Sequence, residues 1–314
     1  MLHVRVYSPA DLTDAVVGYL KGDAAVSQMA VLRSVATDPA PDLILAEVVR
    51  EAANDVVNRL RDLGVPRQGA IQITPVQTWI SQRELDAELT APGASADAVV
   101  WADVIHRAYE DTEINKTYVA FMTMALMIAA IGIVIDSQIL LIGAMVLGPE
   151  FGAVAALGLS LVRRRRELLF RALRTLAMGY VIAIAVTSVA AAMGRWAGWI
   201  SEAEATGPRP LTGFIYSPDH WSVLVALIAG AAGVLALTSS KSGELTGVLI
   251  SVATVPAAGN VAVGLAFAAW SQVWGSTLQL FVNITAMAFS GWLTLMIKQH
   301  AWGSANNRGE VRQT

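Results

Sequence analysis

The chain has 314 residues, of which 55% are hydrophobic and 15% charged, and its mean hydropathy is +0.53. That excludes an ordinary soluble protein and indicates a polytopic membrane protein with a polar N-terminal part, because the apolar residues concentrate after Tyr118. A formal charge of −3 is too small to point to nucleic acid, and the lack of cysteine excludes disulfides, thiolate metal sites and cysteine nucleophiles.

Residues 1–78 predict a small α+β domain. Leu2, Val4 and Val6 alternate with His3 and Arg5, which is the period of a half-buried strand. Asp11 to Lys21 carries Leu12, Val16, Val17 and Leu20 on one helical stripe. Strands are expected at Gln28–Ala36 and Asp42–Val49, and a helix over Arg50–Leu63 with Ala53, Val56, Val57 and Leu60 on one face, ended by Gly64 and Pro66. Ile71 and Ile73 mark a last strand over Ala70–Thr74. The order βαββαβ is the ferredoxin-like split unit, and in topology alone it resembles small-molecule-sensing modules of the ACT type. Either ligand sensing or oligomerisation would suit such a domain, which is small enough to dimerise or to dock.

Residues 79–116 read as a connector. Gln82–Ser95 is polar and small, with Pro92, Gly93 and Ser95, and predicts a linker. Ala96–Glu113 is amphipathic: Val99, Val100, Val104, Ile105, Trp101 and Tyr109 interleave with Asp103, Arg107, Glu110 and Asp111.

Residues 117–298 predict six transmembrane helices: Thr117–Ile135, Gln138–Leu161, Phe170–Met193, Trp221–Leu237, Thr246–Trp270 and Leu278–Ile297. No secretory signal is expected, since the N-terminal residues lack a sustained apolar core, and the first span is expected to direct insertion. Arg163 to Arg166, with Arg171 and Arg174, place the loop after the second span in the cytoplasm. Counting spans from there puts both termini, the N-terminal domain and the 299–314 tail in the cytoplasm. The long Gly194–His220 loop falls outside. Lys116, Lys241, Lys298, Arg308 and Arg312 lie on the cytoplasmic side, whereas Arg195, Arg209 and Asp136 lie on the other. Trp196, Trp199, Trp221, Trp270, Trp274 and Trp292 fall near the predicted interfaces. The expected location is the cell (inner) membrane, with the lipid bilayer as a partner and a homo-oligomer as the assembly.

Two apolar runs carry the same Pro-x-x-Gly-x-Val-Ala pattern. The first has Pro149, Gly152, Val154 and Ala155; the second has Pro256, Gly259, Val261 and Ala262. Proline removes a backbone hydrogen bond and clashes with the preceding turn, so both helices are expected to break. Three spans precede the long loop and three follow it, which would invert the second repeat and bring two breaks together at mid-depth. Two ordinary Gly/Pro-containing spans are the plain alternative. Glu150 places a carboxylate near mid-bilayer, at a cost of about 2.5–3.5 kcal/mol unless it is paired, protonated or wet. The candidate substrate- or ion-binding residues are Gly148, Pro149, Glu150, Gly152, Pro256, Gly259 and Asn260. Asn283 and Thr285 are candidates for contacts between helices, while Asp136 and Glu244 read as interfacial.

Asp136-Ser137, Ile142-Gly143-Ala144-Met145 and Gly148-Pro149-Glu150-Phe151-Gly152 resemble the domain-of-unknown-function 389 family of bacterial and archaeal membrane proteins. The run Thr254-Val255-Pro256-Ala257-Ala258 is similar to that family's proline-containing repeat. The resemblance covers most of the membrane domain, and it implies the architecture rather than an activity. Glu150, Ala153 and Ala257 stand here where many members carry further prolines.

The function expected from these features is a membrane transporter or channel for a small polar or ionic solute, with a cytoplasmic regulatory domain. The alternative is a non-transporting sensor or scaffold whose N-terminal domain binds a ligand or partner. Four dispersed histidines (His3, His106, His220 and His300), with no paired carboxylates in the spans, leave no catalytic set, so no enzyme activity, cofactor, metal or nucleic-acid partner is expected.

Overall fold

The structure is a computed structural model, and it describes residues 1–34, 41–76, 78, 80–90, 98–216, 220–238 and 246–310. Residues 92–95 of the expected linker, Ala36, Lys241, Glu244 and Arg312 lie outside the described residues. The chain packs into two compact units, one containing Met1–Val104 and the other Ile105–Leu237 with residues 246–301.

The first unit is built on four strands: β1 (Leu2–Ser8), β2 (Val26–Leu32), β3 (Asp42–Val48) and β4 (Ala70–Pro75). They form one antiparallel sheet in the order β2-β3-β1-β4. Helix α1 (Ala10–Gly22) joins β1 to β2. After β3 a 3₁₀ turn (Arg50–Ala52) leads into α2 (Ala53–Asp62) and the short α3 (Val65–Gln68). The period-2 pattern decides which face is buried. Leu2, Val4 and Val6 pair across the ladder with Val48, Ala46 and Ile44, and all six are buried. Val16 and Leu20 of α1 and Ala53, Val56 and Leu60 of α2 close over them. Gly64, at φ +86°, takes the left-handed conformation that ends α2.

Strand β2 starts and stops earlier than the expected Gln28–Ala36. Ser34 turns the chain at φ 54°, and its N–H donates to Asp42 Oδ1 at 2.9 Å, so the strand cannot run on. The expected linker is also partly regular: Gln82–Thr90 forms α4, which packs on β2. The amphipathic stretch becomes α5 (Trp101–Asp111), held at its start by Asn54, whose side chain accepts from the Trp101 N–H and donates to the Val99 carbonyl.

The second unit is helical. Helix α6 (Lys116–Val134) is capped by Asn115 and leads through a turn at Asp136 (φ 50°) into α7 (Gln138–Leu147). Helix α8 (Phe151–Val162) follows at 59° to α7. Then come α9 (Arg166–Trp196), the short α10 (Glu202–Thr206) with a Ser201–Glu204 capping box, a 3₁₀ turn (Gly213–Tyr216), α11 (His220–Thr238), α12 (Thr246–Ala266) and α13 (Trp270–Glu310). The 299–314 stretch, read from sequence as a tail, continues α13 as far as Glu310.

Four helices are long and apolar enough to cross a membrane: α6, α9, α11 and the Trp270–His300 part of α13. Counting the bent pair α7–α8 as one span makes five, against the six expected from sequence. The shortfall is α12, whose apolar part with described side chains, Thr254–Ala266, is shorter than a crossing.

Helix α12 is nonetheless the centre of the unit. Residues 254–264 are buried without interruption, and α6, α7, α8 and α9 pack against the helix. Small residues allow the close approach. A methyl on Gly259 would stand 2.8 Å from the Ala129 Cβ of α6, and one on Gly230 of α11 would stand 2.5 Å from the Met287 carbonyl oxygen of α13.

Candidate functional site

The two Pro-x-x-Gly segments behave differently. At the first, Gly148 is extended (ψ 118°), as a residue before proline prefers, and α7 ends there. At the second the expected break is absent: α12 runs straight through Pro256. Proline deletes one hydrogen bond, but Ala257 and Ala258 are strong helix formers and the surrounding helices hold the segment on all sides. The inverted pairing of two breaks inferred from the motif therefore loses one of its two members.

The break carries the most buried charge of the unit. Glu150, at the start of α8, has no exposed surface, and its Oε1 accepts a hydrogen bond from Thr254 Oγ1 of α12 at 2.8 Å. The Tyr118 ring of α6 lies against Gly179 of α9, with its hydroxyl 3.2 Å from where a Gly179 Cβ would stand. Gly179 is followed by Tyr180, which faces both Thr254 and Glu150. Both tyrosines are buried, and neither hydroxyl completes a hydrogen bond among the described residues. Gly152 is small for a visible reason. The Asp111 carboxyl occupies the place its side chain would take, at the N-terminus of α8.

Asn260 belongs to a different cluster, so the structure does not bring all the candidate residues together. Six residues beyond Thr254, it stands about 9 Å further along α12 and on another face. Its Oδ1 accepts from Arg209 Nη1 at 2.8 Å, and its Nδ2 donates to Ser276 Oγ of α13 at 2.8 Å. Arg209 Nη2 donates to Gln272 Oε1 at 2.6 Å, and Gln272 donates in turn to the Thr206 carbonyl at 3.2 Å. Arg209 was read from sequence as part of an outer loop, yet only 5% of it is exposed.

That loop is tied down along its length. Arg195 donates to the Ala266 carbonyl at 3.1 Å, and Ala205 packs with Ala130, Val263 and Phe267. Thr212 Oγ1 and the Leu211 N–H both donate to Asp136, at 2.7 and 3.2 Å. The Thr212 and Leu211 bonds outweigh partial desolvation and hold the Asp136 carboxyl below its usual range.

Sequence reading missed a polar seam on α13. Gln272, Ser276, Gln279, Asn283 and Ser290 are all buried at spacings of three, four or seven residues. That helical period was legible, but it was masked by the surrounding apolar residues. Thr285 is exposed and bonds the Phe281 carbonyl of its own helix, so it does not link helices as expected. Among the described residues, no group of three or more His, Asp or Glu side chains stands together to hold a metal.

A small antiparallel-sheet unit, together with apolar helices around a buried carboxylate at a helix break, defines the class. Residues 145–289 match the family described as "Domain of unknown function (DUF389)", the family that the motifs resemble. The chain is also similar to an uncharacterized protein of Methanocaldococcus jannaschii, at 23% identity over 241 residues, covering 75% of this chain and 69% of the relative. No solved structure matches the chain significantly.

Proposed function

We propose that the protein is a membrane transporter or channel for a small polar or ionic solute, with its solute site at the α7–α8 break against α12. The observation that carries this reading is Glu150: a fully buried carboxylate at a broken helix, bonded to a hydroxyl on the central helix. Irregular backbone and an ionisable group inside an apolar bundle are costly, and they recur where a pathway needs them. The buried polar seam of α13 adds amide and hydroxyl groups suited to a hydrophilic path.

In this reading α6, α7–α8, α9, α11, α12 and α13 make six spans of the cell (inner) membrane, α12 crossing inside a sheath of its neighbours. Exposed Trp196, Trp199, Trp221, Trp270 and Trp274 suit the two interfaces. Both termini face the cytoplasm, as the Arg163–Arg166 cluster requires. The first unit, whose strand order is that of a ferredoxin-like fold, serves as a cytoplasmic regulatory domain, and the protein works as a homo-oligomer without enzymatic chemistry.

The test is solute movement in proteoliposomes over a panel of ions, organic acids and polyols. Wild-type protein moves at least one of them, whereas Glu150→Gln and Thr254→Val fold and move it at least tenfold more slowly. Equal flux in all three would remove the site. The alternative, a sensor without transport, draws on the separate core of the first unit. Ligand protection of that unit's amides in the full chain, with no solute moved, would favour it.

A further inference from the structure

We infer that the buried oxygen cluster at Glu150 takes a single positive charge, an alkali cation or a proton. The inference rests on the transport reading for its location and goes beyond it in naming the ligand chemistry. Four elements contribute oxygen: Glu150 at the break, Thr254 from α12, and the Tyr118 and Tyr180 hydroxyls from α6 and α9. Both phenols are more than nine-tenths buried, lie within electrostatic reach of Glu150 and complete no hydrogen bond among the described residues. Buried hydroxyls in that state stand ready for a ligand, since an unmade hydrogen bond at a dry site is costly.

The charge balance sets the sign and size of that ligand. The set is all oxygen and includes one carboxylate, the chemistry of hard cations. One carboxylate neutralises one charge, and a divalent ion would leave an uncompensated charge in an apolar bundle. The anion-attracting feature of the break, the N-terminus of α8, already has the Asp111 carboxyl against Gly152. The opposite feature, the C-terminal carbonyls of α7, ends at Gly148 and adds partial negative charge on the side of the break that suits a cation. Around Glu150, the titratable groups are Tyr118 on α6 and Tyr180 on α9, with the Asp111 carboxyl two residues along the break at the α8 N-terminus, while α12 presents the non-titrating Thr254.

The experiment is thermal unfolding of the full-length protein in nanodiscs, in sodium, potassium or choline chloride at matched ionic strength, between pH 5 and pH 8. An alkali cation should raise Tm by roughly 5 °C at saturation relative to choline. The rise should be greater at higher pH, where the proton competes less. It should vanish in Glu150→Gln, shrink in Tyr118→Phe and persist in Thr285→Val. If the proton is the occupant, the three salts give equal Tm, and a rise in Tm on acidification is lost in Glu150→Gln. Wild-type and Glu150→Gln curves with the same salt and pH dependence would overturn the inference. Should Glu150→Gln not fold, a Tyr118→Phe protein that responds like wild type would overturn it instead. Cation-dependent stabilisation in a protein that moves no solute keeps this site and defeats transport. Flux that is lost in Glu150→Gln but indifferent to cation and pH does the reverse.

Discussion

Arg209 Nη1 donates to Asn260 Oδ1 at 2.8 Å, joining a loop residue to the central helix in a place where both are buried. The same guanidinium reaches Gln272 of α13 at 2.6 Å, so one side chain ties the loop to two helices. Arg209→Ala should therefore leave two buried amide oxygens without donors, and destabilise the helical unit by about 1–3 kcal/mol for each. Asn260→Asp should be milder than Asn260→Ala, because the carboxylate still accepts from Arg209 and can accept from Ser276 as well. Unfolding midpoints of the three variants in nanodiscs give the order.

Two glycines make a contrasting pair. A methyl on Gly230 meets backbone of α13, the Met287 carbonyl oxygen at 2.5 Å and its Cα at 2.7 Å, and backbone cannot swing aside. Gly230→Ala should cost about 1–3 kcal/mol by forcing α11 and α13 apart. Gly143 of α7 has nothing within 4 Å of that position. Gly143→Ala should be neutral, or stabilise by up to about 1 kcal/mol through helix propensity. A thermal melt of each variant suffices.

The two prolines should also part company on substitution. Pro256→Ala restores an N–H to a continuous helix and should raise stability by about 1–3 kcal/mol. Pro149→Ala should give no such gain, because Gly148 is already extended and α7 has ended. Unfolding midpoints, with exchange protection of the new amides, distinguish the two cases.

The first unit should show opposite pH signatures at two carboxyls. Asp42 accepts from the Ser34 N–H, and this bond, with the nearby Thr13 hydroxyl second, holds its pKa below the ordinary value. Its contribution is complete above about pH 4 and is lost as pH falls through the lower, folded value. Glu51 is shifted upward, chiefly by burial and then, in the same direction, by Glu88. Its charge opposes folding at neutral pH, and that penalty fades as pH falls through the raised value. Glu51→Gln should thus stabilise the sheet unit at pH 7 and match wild type in acid. Asp42→Asn should destabilise it at pH 7, with the difference closing below about pH 4. Proteolytic susceptibility of residues 1–104 in the full chain, measured across pH, reports both.

Much of the first unit was written in plain periodicity. Leu2, Val4 and Val6 alternate, Val16 and Leu20 share a stripe, and each lies where its period placed it. The end of β2 was not legible, because a bond from Ser34 to Asp42, eight residues on, decides it. In the helical unit, Glu150 was identifiable as a carboxylate stranded in an apolar run, and it is the buried acid found at the break. Its partners were not, since Tyr118, Tyr180 and Thr254 come from three separate helices and no local pattern joins them. The second break failed as an expectation because proline chemistry is local, whereas the integrity of α12 is imposed by the helices around it.

Residues 254–264 of α12 have no outward face, and that fixes an order of assembly. Helices α6, α7, α8 and α9, which sheathe it, are all synthesised before it. Until Thr246 emerges from the ribosome, those helices lack the element they pack against, and Glu150 lacks its Thr254 partner. One of the last-made helices of the protein is its pillar rather than an appendage. Chains truncated before α12 would consequently lack their packing centre, and they are the species that membrane quality-control proteases should clear first.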